Sequence, residues 1–534
     1  MHNHFLRTSG AVTRRIWTRS KGTGRIACFS TTLPNSFATS PTSKSRDDLP
    51  LSGIRVLEMG QLIAGPFAGQ LLGQFGAEVI KVEPPNVGDP LRVWRELDVD
   101  GTSPWFRSIA RNKKSVAIDL RKEEGRELVK RLAIQSDVLI ENFKPGTLEK
   151  WNLGPANLHP YNPSLIFTRV SGYGQTGPWA PRPGYASVCE AESGFRYINA
   201  FPDPATGGLS GPPVRPNISL GDSVAGLHAA FGTVLALLAR KREKNGGKGM
   251  TVDVSILESM LNLMEGIVPE YDRKGKIRGP SGSSVTGIVP TNAYPCLPDE
   301  SSPSSSSSSD SDSTTYDYIV IGANGDTIYN RLMHTIDRSD LTGPQFLHNH
   351  HRVQRQKDIE DAISSWTKKR TAQEVLDRMN EAGVPVGRVV SVKDIVESEQ
   401  VVGRGAVREV WVPGPKSANG NGNGKGVNEN GAAPHIGSGL GIDGTGVDGG
   451  GEADGWNLKM TGTFPVLSYP SSSTSTSSTS ASASSSSQAE NDLHEPLWAG
   501  PELGAHTDEV MMGEGYLGLS EQEVVRLRRD GIIG

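Results

Sequence analysis

One carboxylate in the chain stands where it could act as a reagent. Asp222 lies in the segment LGDSVAG, between an apolar approach and a long run of apolar residues at three- and four-residue spacing. That spacing predicts a helix starting near residue 223, and aspartate is a good N-cap because its carboxylate accepts hydrogen bonds from free backbone N–H groups. The position also suits a nucleophile, since Gly221 and Gly226 let another molecule approach the backbone. Both interpretations of Asp222 stay open on these residues alone.

A group of basic residues lies next to the ends of predicted strands in an otherwise acidic chain. Residues 1–46 hold eight Lys or Arg and no Asp or Glu, which leaves 47 basic against 59 acidic residues in the remainder. The remainder therefore offers no basic field for nucleic acid. The local basic residues suit a polyphosphate ligand, although solvated side chains would explain each one separately. They are Arg111, Lys113, Lys114, Lys144 and Lys150.

These residues must be positioned by an alternation of strands and helices. Strand patterns occur at 54–60, 77–83, 115–120, 137–142 and 165–174, with helical patterns between several of them, and 251–267 supplies one more strand and helix. Such an alternation predicts an α/β fold with a parallel sheet, whose ligands bind beyond the carboxyl ends of the strands. The glycines of 60–92 lack the G-x-G-x-x-G spacing of a dinucleotide site. The chemistry is therefore expected in the loops that follow the strands.

The N-terminus and the cysteines bear on compartment and cofactors. The segment 1–46 is rich in Arg, Ser and Thr, which is typical of a mitochondrial presequence, with an untargeted basic tail as the alternative. Cys28, Cys189 and Cys296 show neither paired nor metal-ligand spacing, so neither a disulfide framework nor a metal site is expected. We also expect no apolar run of about eighteen residues, and hence no membrane association.

Composition divides the chain further. Three segments are too polar to enter a core and are predicted to be insertions: 301–315, 416–455 and 471–487. The predicted organisation is then a presequence (1–46), the first part of a large domain (47–267), a linker with a Gly-rich loop (268–300), an insertion (301–315), a small domain (316–411), a linker with insertions (412–490) and a return to the large domain (491–534).

Seven motifs in order carry a family resemblance. They are LSGIRVLEMGQLIAGPFAGQLLGQFGAEVIKVEPPNVGDPLR, RNKKSVAIDL, VLIENFKPGTLEKWNLG, SGYGQTGP with PRPGY, LGDSVAG, AGVPVGRVVSVKDI and GPELGAHTDEV. Together the chain from about residue 51 to residue 520 resembles the class III (CaiB/BaiF-type) CoA-transferases. The resemblance implies an interlocked homodimer, each chain with a large Rossmann-like domain and a smaller inserted domain. It also implies acyl-CoA and a carboxylic acid as substrates, coenzyme A as co-substrate and no metal.

The resemblance assigns roles to individual residues. Asp222 matches the family's nucleophile, which attacks an acyl-CoA thioester to give a mixed anhydride and then an aspartyl-CoA thioester. The positions that match the CoA cleft are Ile63, Ala64, Ile118, Asp119, Leu120, Arg121, Asn142, Phe143, Lys144, Lys150, Arg182 and Tyr185. Within the family the chain is most similar to the mitochondrial branch that uses succinyl-CoA with glutarate or hydroxymethylglutarate. A location in the mitochondrial matrix would follow.

Two departures and two rival functions accompany this assignment. Ala186 stands where the family often has Asp or Glu, and Pro84 replaces a common basic residue. An acyl-CoA racemase of the same superfamily would need a histidine near PGYASV, and none lies between His159 and His228. A catalytically silent CoA-binding protein is the other alternative. The retention of Asp222 between small residues argues against it.

Overall fold

The computed structural model describes residues 48–299, 316–414, 455–468 and 497–534. The predicted presequence, 1–46, and the serine-rich segments 301–315 and 471–487 lie outside the described residues, as does 416–454 of the Gly/Asn-rich segment.

A six-stranded parallel sheet forms the centre of the large domain. Numbered along the chain, its strands are β1 Arg55–Glu58, β2 Glu78–Glu83, β3 Lys113–Ala117, β4 Val138–Glu141, β5 Ile166–Ser171 and β6 Thr251–Ser255. Their spatial order is β3-β2-β1-β4-β5-β6, the doubly wound order of Rossmann-type folds. All neighbouring pairs in this sheet are parallel. The predicted α/β fold with a parallel sheet is confirmed.

Each strand contributes to a core on both faces of the sheet. The large-domain helices are α1 Ala64–Gln74, α2 Pro104–Ile109, α3 Glu123–Ile134, α4 Thr147–Lys150, α5 Pro155–Leu158, α6 Ala186–Glu192, α7 Phe195–Ile198, α8 Leu220–Arg240, α9 Ile256–Asn262 and α10 Ile267–Lys274. Val56 packs with α1 and α8, whereas the next residue, Leu57, packs with α3 on the opposite face. This alternation follows from the two-residue period of side chains along a strand.

Helix α8 corrects the expectation that no apolar run is long enough to cross a membrane. By length and composition alone, Leu220–Arg240 qualifies, because it is apolar on average and Asp222 and Arg240 are its only Asp, Glu, Lys or Arg residues. One side of α8 packs on β5, β6 and α1. Its other side exposes an apolar stripe at three- and four-residue spacing, formed by Leu227, Phe231, Leu235 and Leu238.

The small domain is built on an antiparallel sheet of three strands, β7 Thr291–Cys296, β8 Asp317–Gly322 and β9 Val386–Arg388. Its helices are α11 Asp326–Thr335, α12 Asn349–Val353, α13 Gln356–Thr367, α14 Ala372–Glu381, α15 Val392–Glu397 and α16 Glu399–Gly403. Strand β7 lies inside the segment predicted as a linker, 268–300. The sequence pattern missed it because a proline, Pro295, is untypical of a strand and the partner β8 follows only after the predicted insertion.

Two further segments join the large domain. A hairpin of β10 Val407–Pro413 and β11 Gly455–Thr461 contacts it through Trp456, whose indole N–H donates to Asp98 at 2.8 Å. The C-terminal helices, α17 Thr507–Met512 and α18 Glu521–Arg529, complete the core on the α3 face. Val510, Met511 and Leu527 are buried there in one cluster with Leu57 and Ile80.

Candidate active site

Asp222 lies in the first turn of α8 and does not cap the helix. The helix begins at Leu220, Ser219 is the N-cap residue, and the Ser219 carbonyl accepts a hydrogen bond from the Ser223 N–H at 3.0 Å. The start predicted near residue 223, and with it the capping role of Asp222, is therefore wrong. Hydrophobic periodicity missed the true start because Gly221 has no side chain to mark it, although Ala186 and Ile256 pack directly against this glycine.

A second carboxylate is buried beside Asp222. Glu190 on α6 is fully buried, and its Oε1 accepts a hydrogen bond from the Gly221 N–H at 3.1 Å. Its other oxygen pairs with Arg196 at 2.6 Å. Glu190 is therefore fixed at the start of α8, with its own charge compensated by Arg196.

The surroundings of Asp222 disfavour its charged form. Burial raises the pKa of Asp222, the Glu190 carboxylate raises it further, and the Arg215 guanidinium partly opposes them, which leaves a pKa of about 6. The positive end of α8 also favours the anion, so burial and Glu190 outweigh the helix dipole. At neutral pH Asp222 is thus an anion of raised basicity, as a carboxylate nucleophile requires.

A cavity of about 280 Å³ opens at the carboxyl ends of the first four strands of the sheet. Its walls are largely apolar, with Met59, Val82, Pro84 and Trp151 among them. Arg121 also lines it, with its guanidinium paired with Asp119 at 2.9 Å. Five of the predicted CoA residues line it: Ile118, Asp119, Leu120, Arg121 and Phe143. The predicted location of the chemistry, beyond the strand ends, thus contains a cavity. Asp222 does not line it.

Asn142 shapes this cavity through the backbone of its neighbour Gln61. The Asn142 side chain accepts a hydrogen bond from the Gln61 N–H at 2.8 Å and donates to the Gln61 carbonyl at 2.8 Å. This reciprocal pair joins the loop after β1 to the end of β4. Asn142 therefore holds the loop, while Gln61 itself lines the cavity.

A buried ion network fixes the same loop from the other side. Lys81 contacts Glu58 at 3.1 Å and Asp89 at 2.8 Å, and it donates to the Gly60 carbonyl at 2.8 Å. Asp89 in turn accepts from the N–H of Leu62 at 3.0 Å, where the backbone adopts a φ of +62°. Positive φ is unfavourable for leucine, so the network holds a conformation that the loop would not adopt by itself.

Three of the basic residues expected to face a polyphosphate are engaged inside the protein. Lys113 is buried against Glu58 at 2.8 Å, and burial lowers its pKa to about 8 against the opposing charge of that glutamate. Lys114 pairs with Glu78 and Glu509, and Arg111 donates to Thr461. The expectation is therefore wrong for these three, because glutamates distant in sequence pair with the two lysines and Thr461 accepts from the Arg111 guanidinium. Lys144 and Lys150 are exposed.

The remaining predicted residues divide into buried and exposed positions. Ile63 packs with Leu91 and Phe106, and Ala64 is buried at the start of α1, close to Gly226 of α8. Arg182 stacks on Trp179 at 4.4 Å, and Tyr185 is 73% exposed at the N-cap of α6. These residues do not line the cavity. Arg182 and Tyr185 instead precede α6, the helix that carries Glu190.

Three residues near the site were missed by the sequence analysis: Gln61, Glu190 and Arg215. Ala186 stands where the family often has an acidic residue, and Glu190 lies one helical turn further along. A search for an acidic residue on the same helix face would therefore have found Glu190. Gln61 and Arg215 carried no comparable signal.

Comparison with known proteins decides the family. Residues 51–437 match the model of CoA-transferase family III. The chain belongs to CoA-transferase family III. It is therefore a CoA-transferase, with CoA thioesters and carboxylic acids as substrates.

Individual members of family III align over most of their length. A succinyl-CoA–D-citramalate CoA-transferase of Chloroflexus aurantiacus is 43% identical over 372 residues, which cover 70% of this chain and 86% of the relative. The human succinyl-CoA:glutarate CoA-transferase is 32% identical over 384 residues, covering 70% and 81%. The crystal structure of a CaiB/BaiF family protein from Brucella suis aligns with a TM-score of 0.56 at 30% identity, covering 67% and 89%.

Among the described residues, no group of three or more His, Cys, Asp or Glu side chains is arranged to hold a metal ion.

His228, the histidine nearest in sequence after Asp222, lies almost two turns further along α8, with its Nε2 at 3.4 Å from the Asn262 amide.

Proposed function

We propose that this family III enzyme transfers CoA from succinyl-CoA to a second dicarboxylic acid, with Asp222 as the nucleophile. The observation that carries the proposal is the environment of Asp222. No described residue donates a hydrogen bond to its carboxylate, and burial beside Glu190 raises its pKa to about 6. A carboxylate without such hydrogen bonds keeps its electron pairs available for attack.

In the first half of the reaction, an Asp222 oxygen attacks the thioester carbon of succinyl-CoA and the C–S bond breaks. The products are a mixed anhydride and CoA thiolate. The thiolate then attacks Cγ of Asp222 and breaks the anhydride C–O bond, which releases succinate and leaves an aspartyl-CoA thioester. Succinate departs with one oxygen that began on Asp222.

The second half runs these steps in reverse with the acceptor. The acceptor carboxylate attacks Cγ and expels CoA thiolate, and the thiolate attacks the acceptor's carbonyl carbon to release the new acyl-CoA. One oxygen of the acceptor remains on Asp222. No net proton transfer is needed, and the thioester energy is conserved throughout.

The cavity at the strand ends supports a location for the nucleotide end of CoA. Its apolar walls and the Arg121 guanidinium suit a base and a phosphate group, with Lys144 and Lys150 exposed nearby in sequence to Phe143. The long pantetheine arm of CoA would account for the separation between this cavity and Asp222. On this proposal the arm passes the start of α1, which contacts α8 at Gly226.

The substrates are proposed from the relatives. Relatives from Chloroflexus aurantiacus and human are succinyl-CoA-dependent transferases with citramalate, malate or glutarate as the acceptor. All these acceptors are dicarboxylates. We therefore expect transfer to four- or five-carbon dicarboxylic acids, glutarate among them.

Oxygen labelling tests the mechanism. With an ¹⁸O-labelled dicarboxylate acceptor and succinyl-CoA, the label should appear first on Asp222 and then, after further turnover, in released succinate. Mass spectrometry of the active-site peptide and of succinate measures both. The Asp222→Asn variant should lose transfer by at least about a thousandfold, as expected when a covalent nucleophile is removed.

Ser223→Ala provides a control on the neighbouring residue and should retain the labelling pattern. Succinate that stays unlabelled during efficient transfer would exclude the anhydride route. An Asp222→Asn variant that is folded and active would exclude Asp222 as the nucleophile.

We also propose a homodimer. The apolar stripe of α8, Leu227, Phe231, Leu235 and Leu238, is about half exposed in the single chain and would be covered by a second copy. Sedimentation of the wild type and of Phe231→Glu would test this, with a dimer expected for the first and weakened association for the second.

A mitochondrial location is the remaining part of the proposal. It is supported by the acid-free, Arg-rich composition of 1–46 and by the mitochondrial origin of succinyl-CoA. A fluorescent protein fused behind 1–46 should enter mitochondria, and a diffuse signal would contradict this.

A further inference from the structure

Leu62 adopts a backbone conformation that its side chain disfavours. Its φ of +62° lies in the left-handed region, which asparagine and aspartate tolerate better than leucine. Within the described part of the chain, every other non-glycine residue at such a φ has a polar or charged side chain. Outliers of this kind persist only where their surroundings impose them, and they cluster at functional sites. The conformation of Leu62 therefore points to a constraint that serves a function.

Asp89 imposes this conformation. Asp89 is only 1% exposed, and its two carboxylate oxygens accept the Leu62 N–H at 3.0 and 3.2 Å. The same carboxylate accepts from the Leu91 N–H at 2.9 Å and pairs with Lys81 at 2.8 Å. Hydrogen bonds from a backbone N–H to an ionised carboxylate are short and strong. Asp89 therefore fixes the direction of the Leu62 N–H, and with it the turn of the chain at that residue.

The loop that contains Leu62 leads from the cavity to the helix that carries Asp222. Gln61, directly before Leu62, lines the cavity. Ala64, two residues after Leu62, lies so close to α8 that a Cβ on Gly226 would be 2.7 Å from its carbonyl oxygen. Gly226 follows Asp222 by four residues, so both lie on the same face of α8. This short stretch of backbone thus connects the cavity with the Asp222 face of α8.

We infer that Asp89 is a positioning residue for acyl-CoA: by holding Leu62 at positive φ, it sets the backbone along which the pantetheine arm reaches Asp222. This inference rests on the proposed function, which places the nucleotide end of CoA in the cavity and the thioester at Asp222. Asp89 does not line the cavity, so it acts through Leu62 and not by touching the substrate. A loop that relaxed to negative φ at Leu62 would move Gln61 relative to Ala64 and misplace the arm.

The test separates the conformation of Leu62 from its packing. The dissociation constant of CoA and kcat/KM for succinyl-CoA are measured for wild type, for Asp89→Asn, and for Asp89→Asn combined with Leu62→Gly or with Leu62→Ala. Both second substitutions remove the leucine side chain. Glycine adopts positive φ without a steric penalty, whereas alanine does not. Restoration of CoA binding by glycine alone is therefore specific to the backbone conformation.

Two further variants complete the comparison. Asp137→Asn is the matched control, because Asp137 also accepts a backbone N–H, that of Arg55 at 2.9 Å, and pairs with Arg240 at 2.8 Å, but at the start of β1. Asp89→Glu keeps the charge opposite Lys81 and displaces the carboxylate by one methylene, so it provides the measurement if Asp89→Asn does not fold. Chemical denaturation verifies that each variant is folded.

Asp89→Asn should weaken CoA binding and lower kcat/KM for succinyl-CoA, each by at least about tenfold, since the strained loop is no longer held. Asp89→Glu should act in the same direction. Leu62→Gly should restore most of both losses in the Asp89→Asn background, and Leu62→Ala should not. Asp137→Asn should lower stability and leave CoA binding unchanged, as a purely structural role would.

CoA binding as tight as in wild type by a folded Asp89 variant, or equal restoration by glycine and alanine, would overturn the role of Asp89. The binding measurement needs no acceptor, so it is independent of the acid to which CoA is transferred. If CoA binding changes as expected but the wild-type enzyme transfers no CoA from succinyl-CoA, the role of Asp89 is supported and the proposed function is contradicted.

Discussion

At the scale of single residues, the balance of charge around Asp222 sets the pH at which the enzyme can work. Only the ionised carboxylate attacks a thioester, and the pKa of Asp222 is raised to about 6 by burial and by Glu190. Below that pH an increasing fraction of Asp222 is protonated and inactive. We therefore expect kcat/KM for the acyl-CoA to fall about tenfold per pH unit on the acid side of pH 6.

Glu190→Gln tests the origin of this pH dependence. The amide oxygen can still accept the hydrogen bond of the Gly221 N–H, but the negative charge that raises the pKa of Asp222 is lost. The acid limb of the pH profile should therefore move to lower pH. Glu192→Gln is the control, because Glu192 lies on the same helix as Glu190 and its carboxylate accepts a hydrogen bond from the Tyr173 hydroxyl. This variant should leave the acid limb of the pH profile in place. If the acid limb does not move in Glu190→Gln, the titration that causes it belongs to a group other than Asp222.

The role of a residue could be predicted from sequence where it belongs to a short local motif. It could not be predicted where it depends on an interaction with residues distant in sequence. Asp222 and its neighbours form one short motif, so the family resemblance identified the candidate nucleophile, which the seven residues alone left open between capping and catalysis. Lys113 is paired with Glu58 and Lys114 with Glu509. These partners are distant in sequence, and only the folded chain brings them together. No periodicity or spacing could reveal that these lysines are paired internally.

At the scale of elements, strands were easier to predict than helix starts. The buried runs of β1, β2 and β4 are short and rich in Val, Ile and Leu, so the sequence locates them within a residue or two. Helix α8 begins with Leu220 and Gly221, which lack the side-chain signal of a cap. The glycines of α8, Gly221 and Gly226, allow neighbouring elements to pack closely against the helix. That role can be recognised only when the neighbouring elements are known.

Gly226 shows how closely α8 and α1 approach. A Cβ at this position would lie 2.7 Å from the Ala64 carbonyl oxygen, which cannot move without shifting α1. Gly226→Ala should therefore destabilise the protein by about 1–2 kcal/mol in chemical denaturation, despite a gain of roughly 1 kcal/mol in helix propensity. Gly403→Ala, at a helical glycine with nothing within 4 Å, should be neutral or stabilising. Equal effects of the two substitutions would contradict the close helix contact.

At the scale of the whole molecule, the glycine-rich segment 279–287 connects the two domains. Its Gly282 N–H donates to the Ala200 carbonyl of the large domain at 2.9 Å. At its other end, Asn349 of the small domain donates to the Gly287 carbonyl at 2.8 Å and accepts from the Val289 N–H at 3.0 Å. The segment is thus fastened to both domains. The segment is rich in Gly and Ser and resembles in position the mobile glycine loop over the nucleophile in this family, which predicts a lid; a plain linker between the domains is the alternative.

The backbone of this segment determines how the lid can be tested. Gly282 and Gly287 have φ values of +64° and +80°, which proline cannot adopt, so proline substitutions would disrupt the loop whatever its role. Asn349→Ala instead releases one end and leaves the glycines unchanged. If the segment is a lid, water should then reach the anhydride and thioester more often. The free CoA released per acyl group transferred should rise several-fold.

Asn380→Ala serves as the control, because Asn380 is an exposed asparagine of the same domain that forms no side-chain hydrogen bond in the described structure. It should leave the ratio of hydrolysis to transfer unchanged. A linker would behave differently from a lid: Asn349→Ala would then slow transfer and hydrolysis together, because domain placement affects both reactions alike. The ratio therefore separates the two roles even when the overall rate falls, provided that thermal unfolding shows the variant to be folded.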